Sequence, residues 1–266
     1  MEKIIVLGTS GAVTNARRDN VSLVFCAEQE GEAGQYILLE CGGSAAHKLA
    51  KVGVPYHALK EIIVTHTHID HFYGLSGLIF AMMYRDMQRE TPLRISCPEC
   101  ALDVLIRFLD FFNLREDCPF PLYVHGVPLK EHAAIFENEA VTVTASPVDH
   151  SPKTPTFGVK IASKRSGKTM VYSGDTTYSE RLIRLASGGV DLLFHECSGL
   201  STHDIAPIHS NARHAGQAAR NSGAKKLVLL HLDSVLNDDP QAILAEVRQE
   251  YAGESVVAED FDEFIL

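Results

Sequence analysis

Apolar residues along the chain recur in two periods. Short β-rich runs come first, at residues 3–7, 21–27 and 36–40, separated by Gly, Asn, Asp and Glu positions that read as turns. Helix-period stretches then alternate with strand-like runs. The helices are expected at 45–51, 75–87, 101–112, 179–186, 212–222 and 240–251, and the strands at 61–65, 93–96, 141–145, 157–162, 169–172, 192–195 and 226–230. Within 75–87, Leu75, Leu78, Ile79, Met82 and Met83 fall at i, i+3, i+4, i+7 and i+8, a stripe that packs on a sheet rather than lining a cofactor. No fixed-period repeat, low-complexity tract or linker interrupts this alternation. The pattern predicts an α/β protein whose residues 1–266 form one domain.

Polar, ligand-competent residues recur just behind the strand-like runs. Thr65-His66, Asp149-His150, Asp175 and His231 each follow one. The carboxyl ends of strands line the crevice where α/β proteins bind ligands, so four segments are expected to meet at one edge. The densest is His66-Thr67-His68-Ile69-Asp70-His71, three imidazoles and a carboxylate in six residues between a strand and a helix. In an extended His-x-His both imidazoles lie on one side, and Asp70 and His71 at the helix start can point back at a neighbouring position. Such a segment can serve two metal ions. Taken singly, Asp70 could cap the helix, His150 and His231 could be satisfied core histidines, and Asp175 could cap a turn. Their joint occurrence favours ligands.

Composition narrows the partners. The chain has 13 His and no Trp, with 24 Lys+Arg against 34 Asp+Glu, a formal net charge of −10. That acidic balance lacks the field a long duplex nucleic acid would need. No apolar run suits a bilayer and Met1-Glu2-Lys3 opens no export signal, while six scattered cysteines read as reduced thiols, so the expected location is the cytoplasm.

The segment His66 to His71, with Asp149-His150, Ser173-Gly174-Asp175-Thr176 and Leu230-His231 in order, resembles the His-x-His-x-Asp-His pattern of the metallo-β-lactamase fold hydrolases. Leu7-Gly8-Thr9-Ser10-Gly11, Thr156-Phe157-Gly158-Val159, His195-Glu196-Cys197 and His209-Ser210 are similar to the ribonuclease Z and phosphodiesterase branch. The resemblance implies an αββα four-layer sandwich. It also implies one metal ion held by His66, His68 and His150, a second by Asp70, His71 and His231, and Asp175 bridging the two. Nitrogen and carboxylate donors without thiolate suit two Zn²⁺ ions, with Mn²⁺ or Fe as substitutes. Ions about 3.5–4 Å apart activate a bridging hydroxide as nucleophile, which Asp70 would help to orient. The resemblance further casts His209, supported by Glu196, as the group that assists at the scissile phosphate. The blander alternative makes His209 a helix-end residue, with His203 and His214 as competitors.

Departures from that branch shape the substrate. Only 24 residues separate His150 from Asp175, leaving no place for the long arm with which ribonuclease Z grips transfer RNA. Leu230-His231-Leu232-Asp233-Ser234-Val235 lacks the arginine that branch carries, and Cys197-Ser198 replaces a small residue and threonine. A phosphodiester in a small molecule or short nucleic acid is expected, and a homodimer by analogy. Rivals are a lactone, ester, thioester or sulfate ester hydrolase on the same site, and a non-catalytic metal-dependent sensor.

Other signals carry less. Tyr73, Phe80, Tyr84, Phe108, Phe111, Phe112, Phe120 and Tyr123 read mostly as core aromatics, otherwise as the wall of an apolar substrate pocket. Cys97-Pro98-Glu99-Cys100 has no partner pair and reads as helix-start thiols. Gly8-Thr9-Ser10-Gly11 reads as a tight turn beneath the site. The acidic tail 259–263 reads as a solvated terminus with Phe261 and Ile265 docked.

Overall fold

The computed structural model describes residues 1–28, 34–85, 89–233 and 239–266. In its first strand, β1 (Glu2–Gly8), Ile5 and Leu7 enter one apolar core while Ile4 and Val6 enter another. Successive side chains leave opposite faces of a sheet, so a strand covered on both sides reads as an unbroken apolar run. The strands that follow are β2 (Ser22–Ala27), β3 (Gln35–Leu39), β4 (Leu59–Ile63), β5 (Leu93–Pro98), β6 (Leu122–Val127) and β7 (Ala133–Glu137). Then come β8 (Val141–Pro147), β9 (Phe157–Ser163), β10 (Thr169–Tyr172), β11 (Leu192–Glu196), β12 (Lys226–Leu230), β13 (Glu254–Val257) and β14 (Glu263–Ile265).

They form two seven-stranded sheets, ordered β14-β1-β2-β3-β4-β5-β6 and β13-β12-β11-β10-β9-β8-β7. In the first, neighbours are antiparallel from β14 to β3 and parallel from β3 to β6. In the second they are antiparallel from β7 to β10 and parallel from β10 to β13. A central core of Val6, Phe25, Leu39, Val143, Phe157 and Phe194, among others, fills the space between the sheets.

Helices α1 (Ala45–Lys51), α2 (Ile69–Phe72), α3 (Gly74–Arg85), α4 (Leu102–Phe111) and α5 (Leu114–Asp117) belong to the first sheet. Leu49, Leu78, Ile79 and Leu105 pack on its outer face. The second sheet is covered by α6 (Glu180–Leu185), α7 (Ala212–Ser222) and α8 (Pro240–Val247) through Leu182, Ala215 and Val247. The layers are therefore αββα. In α3 the expected stripe is buried at Leu75, Leu78, Ile79 and Met82 and half-buried at Met83, while Met87 lies outside the described residues. Among the described residues no helix is long and apolar enough to cross a membrane.

Two expectations are corrected. The acidic tail is solvated at Glu259 and Glu263 but is not a free end, because β14 pairs antiparallel with β1. Strand alternation turns Phe264 and Leu266 inward and leaves Ile265 58% exposed. Asp260 is tied in too, accepting from Thr9 Oγ1 at 2.6 Å and from the Asp19 amide at 2.8 Å. The aromatics are also not mostly core. Phe120 is buried and Phe108 packs half-buried, but Tyr73, Phe80, Tyr84, Phe111, Phe112 and Tyr123 are exposed. The helices cover the sheet with aliphatic residues and turn Phe80, Tyr84 and Phe111 outward, while Tyr73 and Phe112 lie just beyond helix ends and Tyr123 is exposed on the edge strand β6. Cys97 is buried at the end of β5, where burial pushes its thiol up to about 12, and Cys100 is exposed on the following 3₁₀ turn.

Candidate metal centre

The loop that follows β4 carries the densest group of donors, and its backbone is held from below by the end of β3. There Glu40 adopts φ +61°, a left-handed conformation rare for a residue with a side chain, which turns its fully buried carboxylate under the loop. Glu40 accepts from the Thr65 amide at 3.1 Å and from the Thr65 hydroxyl, and the Cys41 amide donates to the His71 carbonyl at 2.8 Å. Gly42 has no room for a side chain, since a Cβ there would lie 1.9 Å from the Asp70 carbonyl oxygen. Sequence reading placed Glu40 at the end of a strand and gave it no role. Its one signal was a carboxylate closing an apolar run just before Cys41-Gly42-Gly43.

Donor atoms from both sheets converge above this support. One group gathers His66, His68, His150 and Asp175, another Asp70, His71 and His231, with the ligand atoms of each group within 4.8 Å of one another. His68 Nδ1 lies 3.0 Å from His66 Nε2 and 3.2 Å from His150 Nε2. Asp175, in the loop after β10, reaches into both groups. Its carboxylate oxygens lie 3.5 Å from His66 Nε2, 3.3 Å from His71 Nε2 and 3.3 Å from His231 Nε2. Asp70 Oδ2 is 3.5 Å from His71 Nε2 and 3.6 Å from His231 Nε2. All seven expected ligand residues meet at the carboxyl-end edge of the two sheets.

The far nitrogens of several imidazoles are spoken for, which fixes which nitrogen faces inward. His66 Nδ1–H donates to Thr65 Oγ1 at 3.1 Å, because that hydroxyl spends its own proton on Glu40. His150 Nδ1–H donates to the Ile208 carbonyl at 3.0 Å, and His68 Nε2–H to Thr154 Oγ1 at 3.0 Å. His71 Nδ1 lies 3.3 Å from Glu40 Oε1. By contrast both nitrogens of His71 and of His231, and Asp175 Oδ1, are buried with no hydrogen-bond partner among the described residues. Buried polar atoms without partners are costly. Orphaned donors of these types, converging on shared points, fit divalent cations.

Electrostatics agree with that fit. Burial, followed by the neighbouring histidine charges, holds His66 well below the ordinary imidazole value, and burial lowers His68 and His150 as well. Neutral imidazole is the ligating form. Burial opposes ionisation of Asp70, but the nearby His231 imidazole and the His71 charge outweigh it and hold the carboxyl at about 2. Asp175 is likewise held well below the carboxylate range, burial being outweighed by the charges of His231, His71 and His66. His71 and His231 move upward, since Asp175, with Glu40 or Asp70, outweighs the cost of burying their charge. The buried carboxylates thus call for positive charge at this point.

Beside the cluster stands a histidine–glutamate pair. Glu196, fully buried at the end of β11, accepts from the Thr176 amide at 2.6 Å and the Ser210 amide at 3.2 Å. It also holds His209 Nδ1 at 2.9 Å, and His209 Nδ1 lies 3.9 Å from Asp175 Oδ2. Burial opposes a charge on His209, but Glu196 and then Asp175 raise it to about 9. His209 is not a helix cap, because Asn211 fills that place by accepting from the His214 amide. His203 accepts from the Leu200 amide and His214 sits on α7, so neither competitor joins the pair. His231 takes φ +56° and rests on Gly11, where a Cβ would lie 2.9 Å from its Cε1. That contact places the expected tight turn against the site. The cluster opens into a pocket of about 380 Å³ whose wall includes Val13, Ile69, Ile205, Ala206 and Asp204, with no Lys or Arg among the described lining residues. None of the eight aromatics considered above lines it.

Similarity to known proteins follows the same lines. The model of the anti-Pycsar protein Apyc1 family matches residues 2–243. Ribonuclease Z of Methanosarcina acetivorans is 28% identical over 315 aligned residues, covering 99% of this chain and 97% of the relative. Among solved structures, the metallo-β-lactamase fold protein YhfI from Bacillus subtilis superposes with a TM-score of 0.80 at 22% identity, covering 99% of this chain and 98% of that one. Human tRNase Z, short form, superposes with a TM-score of 0.77 at 24% identity and 98% coverage of each chain. The fold is the metallo-β-lactamase αββα sandwich, and the protein is a metal-dependent hydrolase of the ribonuclease Z-like kind. Within that fold the chain belongs to the anti-Pycsar protein Apyc1 family.

Proposed function

We propose that the protein hydrolyses a phosphodiester, in a small molecule or a short nucleic acid, at a site for two divalent ions, Zn²⁺ in the first place. His66, His68 and His150 would hold one ion, Asp70, His71 and His231 the other, and Asp175 would serve both. Two such ions supply an activated water and clamp the attacking and leaving oxygens of an in-line displacement.

The chain's own residues do the rest. Thr65, Thr154 and the Ile208 carbonyl keep three imidazoles turned with the ligating nitrogen inward. Asp70, on the pocket wall, is placed to orient the attacking water. With Nδ1 bound to Glu196, His209 offers its Nε2–H to the pocket, where it can steady the developing charge or protonate the leaving oxygen.

That His209–Glu196 pair beside the donor cluster is the observation that carries the phosphodiester reading. A phosphodiester is already anionic in its ground state and is matched by cationic or imidazole donors at its oxygens, whereas an ester or lactone carbonyl is neutral until it is attacked. Kinship with the ribonuclease Z proteins supports the same choice. The pocket's small volume and the absence of Lys and Arg from its described lining favour a substrate with few phosphates over a long duplex. The reading takes residues 1–266 as one catalytic domain, in the cytoplasm and as a homodimer, whose mass light scattering would check.

The test is initial-rate hydrolysis of bis(p-nitrophenyl) phosphate beside a lactone and a thioester, on zinc- or manganese-loaded protein with Asp175→Ala as the blank. Turnover of the phosphodiester that disappears in the variant is expected. Turnover of the acyl substrates alone would move the assignment to ester chemistry, and no turnover at all would favour a metal-dependent sensor.

A further inference from the structure

The opposite edge of the sheets holds a second cavity, of about 490 Å³, larger than the catalytic pocket. Its floor is one cross-strand row of the first sheet. Ile37 on β3 pairs with Glu61 on β4, Glu61 with Arg94 on β5, and Arg94 with Tyr123 on β6. These residues sit toward the amino ends of the parallel strands, whereas the metal donors follow their carboxyl ends. The row belongs to the face turned toward the second sheet, since Ile37 and, two residues beyond Glu61, Ile63 enter the core between the sheets. Phe136 of β7 closes the cavity from the second sheet, its ring centroid 5.2 Å from the Arg94 guanidinium carbon.

An ion pair has been placed on a face whose next row carries the core residues Leu39 and Ile63. Glu61 is 3% exposed, and accepts from Arg94 Nε at 2.6 Å and Ser96 Oγ at 2.5 Å. A buried carboxylate–guanidinium pair contributes little net stability, because desolvation offsets its attraction. Burial pushes the Glu61 carboxyl up to about 7 even against Ser96 and Arg94. Arg94 spends only Nε on Glu61, and among the described residues its two terminal nitrogens have no hydrogen-bond partner. Lys60 lines the same cavity, exposed and without an ion-pair partner among the described residues. Tyr123, 58% exposed, presents a free ring face beside them. A guanidinium fork fits one planar or tetrahedral anion in bidentate fashion, and the rings suit a flat apolar body.

We propose that this cavity is a second ligand site, independent of the catalytic reading, which binds a small molecule made of a planar aromatic ring and one anionic group, carboxylate or phosphate. Arg94 and Lys60 take the anion while Tyr123 and Phe136 flank the ring.

Calorimetric titration of the full-length protein with 2-naphthoate and with adenosine 5′-monophosphate tests this and separates the two anions. Saturable binding of at least one is expected, weakened about 10-fold or more by Tyr123→Ala and by Lys60→Gln, a size ordinary for an aromatic anchor or paired charge. Both residues are exposed, so these variants keep the fold. Arg94→Lys leaves a charge for Glu61 but removes the fork, and is expected to weaken binding as well. Asp175→Ala is expected to bind as the wild type does. No saturable binding of either probe at millimolar concentration would overturn the proposal. So would binding unchanged in both surface variants, or binding lost in Asp175→Ala, which would place the probe in the catalytic pocket.

Discussion

The two sheets are built to one plan, three antiparallel pairings and then three parallel ones, yet they equip the metal centre in different ways. The first sheet delivers its donors on one loop, His66 to His71, braced from below by Glu40 and Gly42. The second delivers them singly, with His150, Asp175 and His231 each on its own loop and Glu196 at a strand end. A contiguous loop is rigid as a unit and tolerates loss of one donor among several. Donors that arrive one to a loop are each the sole contribution of their segment, and their loss should cost more.

Asp175 gives this contrast its largest expected effect. Its carboxylate lies within 3.5 Å of imidazole nitrogens from both sheets. Asp175→Ala should lower the rate beyond the roughly 10³-fold upper range for removing one electrostatic donor. Bound metal, read by elemental analysis, should fall more than in His68→Ala. Equal losses in the two variants would erase the distinction between sheets. Next comes His209→Ala, expected to cost about 10²–10⁴ in kcat, the range for a positioned acid or base. Metal content should not change. In the proposed pairing Glu196 acts through His209, so the double variant with Glu196→Gln should be no slower than His209→Ala alone, and additive losses would mean that Glu196 also acts through its bonds to the Thr176 and Ser210 amides.

What could be read from the sequence divides along the same lines. The ten interior strands were legible because an apolar run or alternation marks them, unbroken over residues 4–7 in β1 and 227–230 in β12 and alternating in β8. The four that escaped, β6, β7, β13 and β14, are the two edges of each sheet. In β6, Tyr123 and His125 are exposed, and in β14 only Phe264 of three residues is buried. β13 and β14 are only four and three residues long, and exposed positions interrupt β6; short or interrupted edges pair less readily with other chains and are also hidden from periodicity. In the site, the contiguous loop announced itself by spacing, and the single donors by their position behind strands. Glu40 had neither signal, because its importance lies in a left-handed backbone turn that folds it under a loop 25 residues away.

Smaller effects probe the bracing of the first sheet's loop. Glu40→Gln keeps the shape but replaces the carboxylate beside His71 Nδ1 and removes an acceptor from Thr65. Partners that orient a ligating histidine typically contribute about 10–100-fold in metal affinity. A loss in that range, measured by competition with a chelator, is expected for Glu40→Gln, and Thr65→Val should reproduce the part that passes through His66.

Smallest is Gly11→Ala, which touches the second sheet's side of the comparison from outside. The added methyl would meet His231 Cε1 at 2.9 Å, so the imidazole must give by a few tenths of an ångström. His231 is the one expected ligand among the described residues of its loop and already holds a left-handed backbone. Metal affinity and rate should both fall, yet well short of the roughly 10²-fold that a 1 Å misplacement can cost. A wild-type rate with unchanged metal retention would mean that single-loop donors are as tolerant as the contiguous loop, and the contrast would then rest on Asp175 alone.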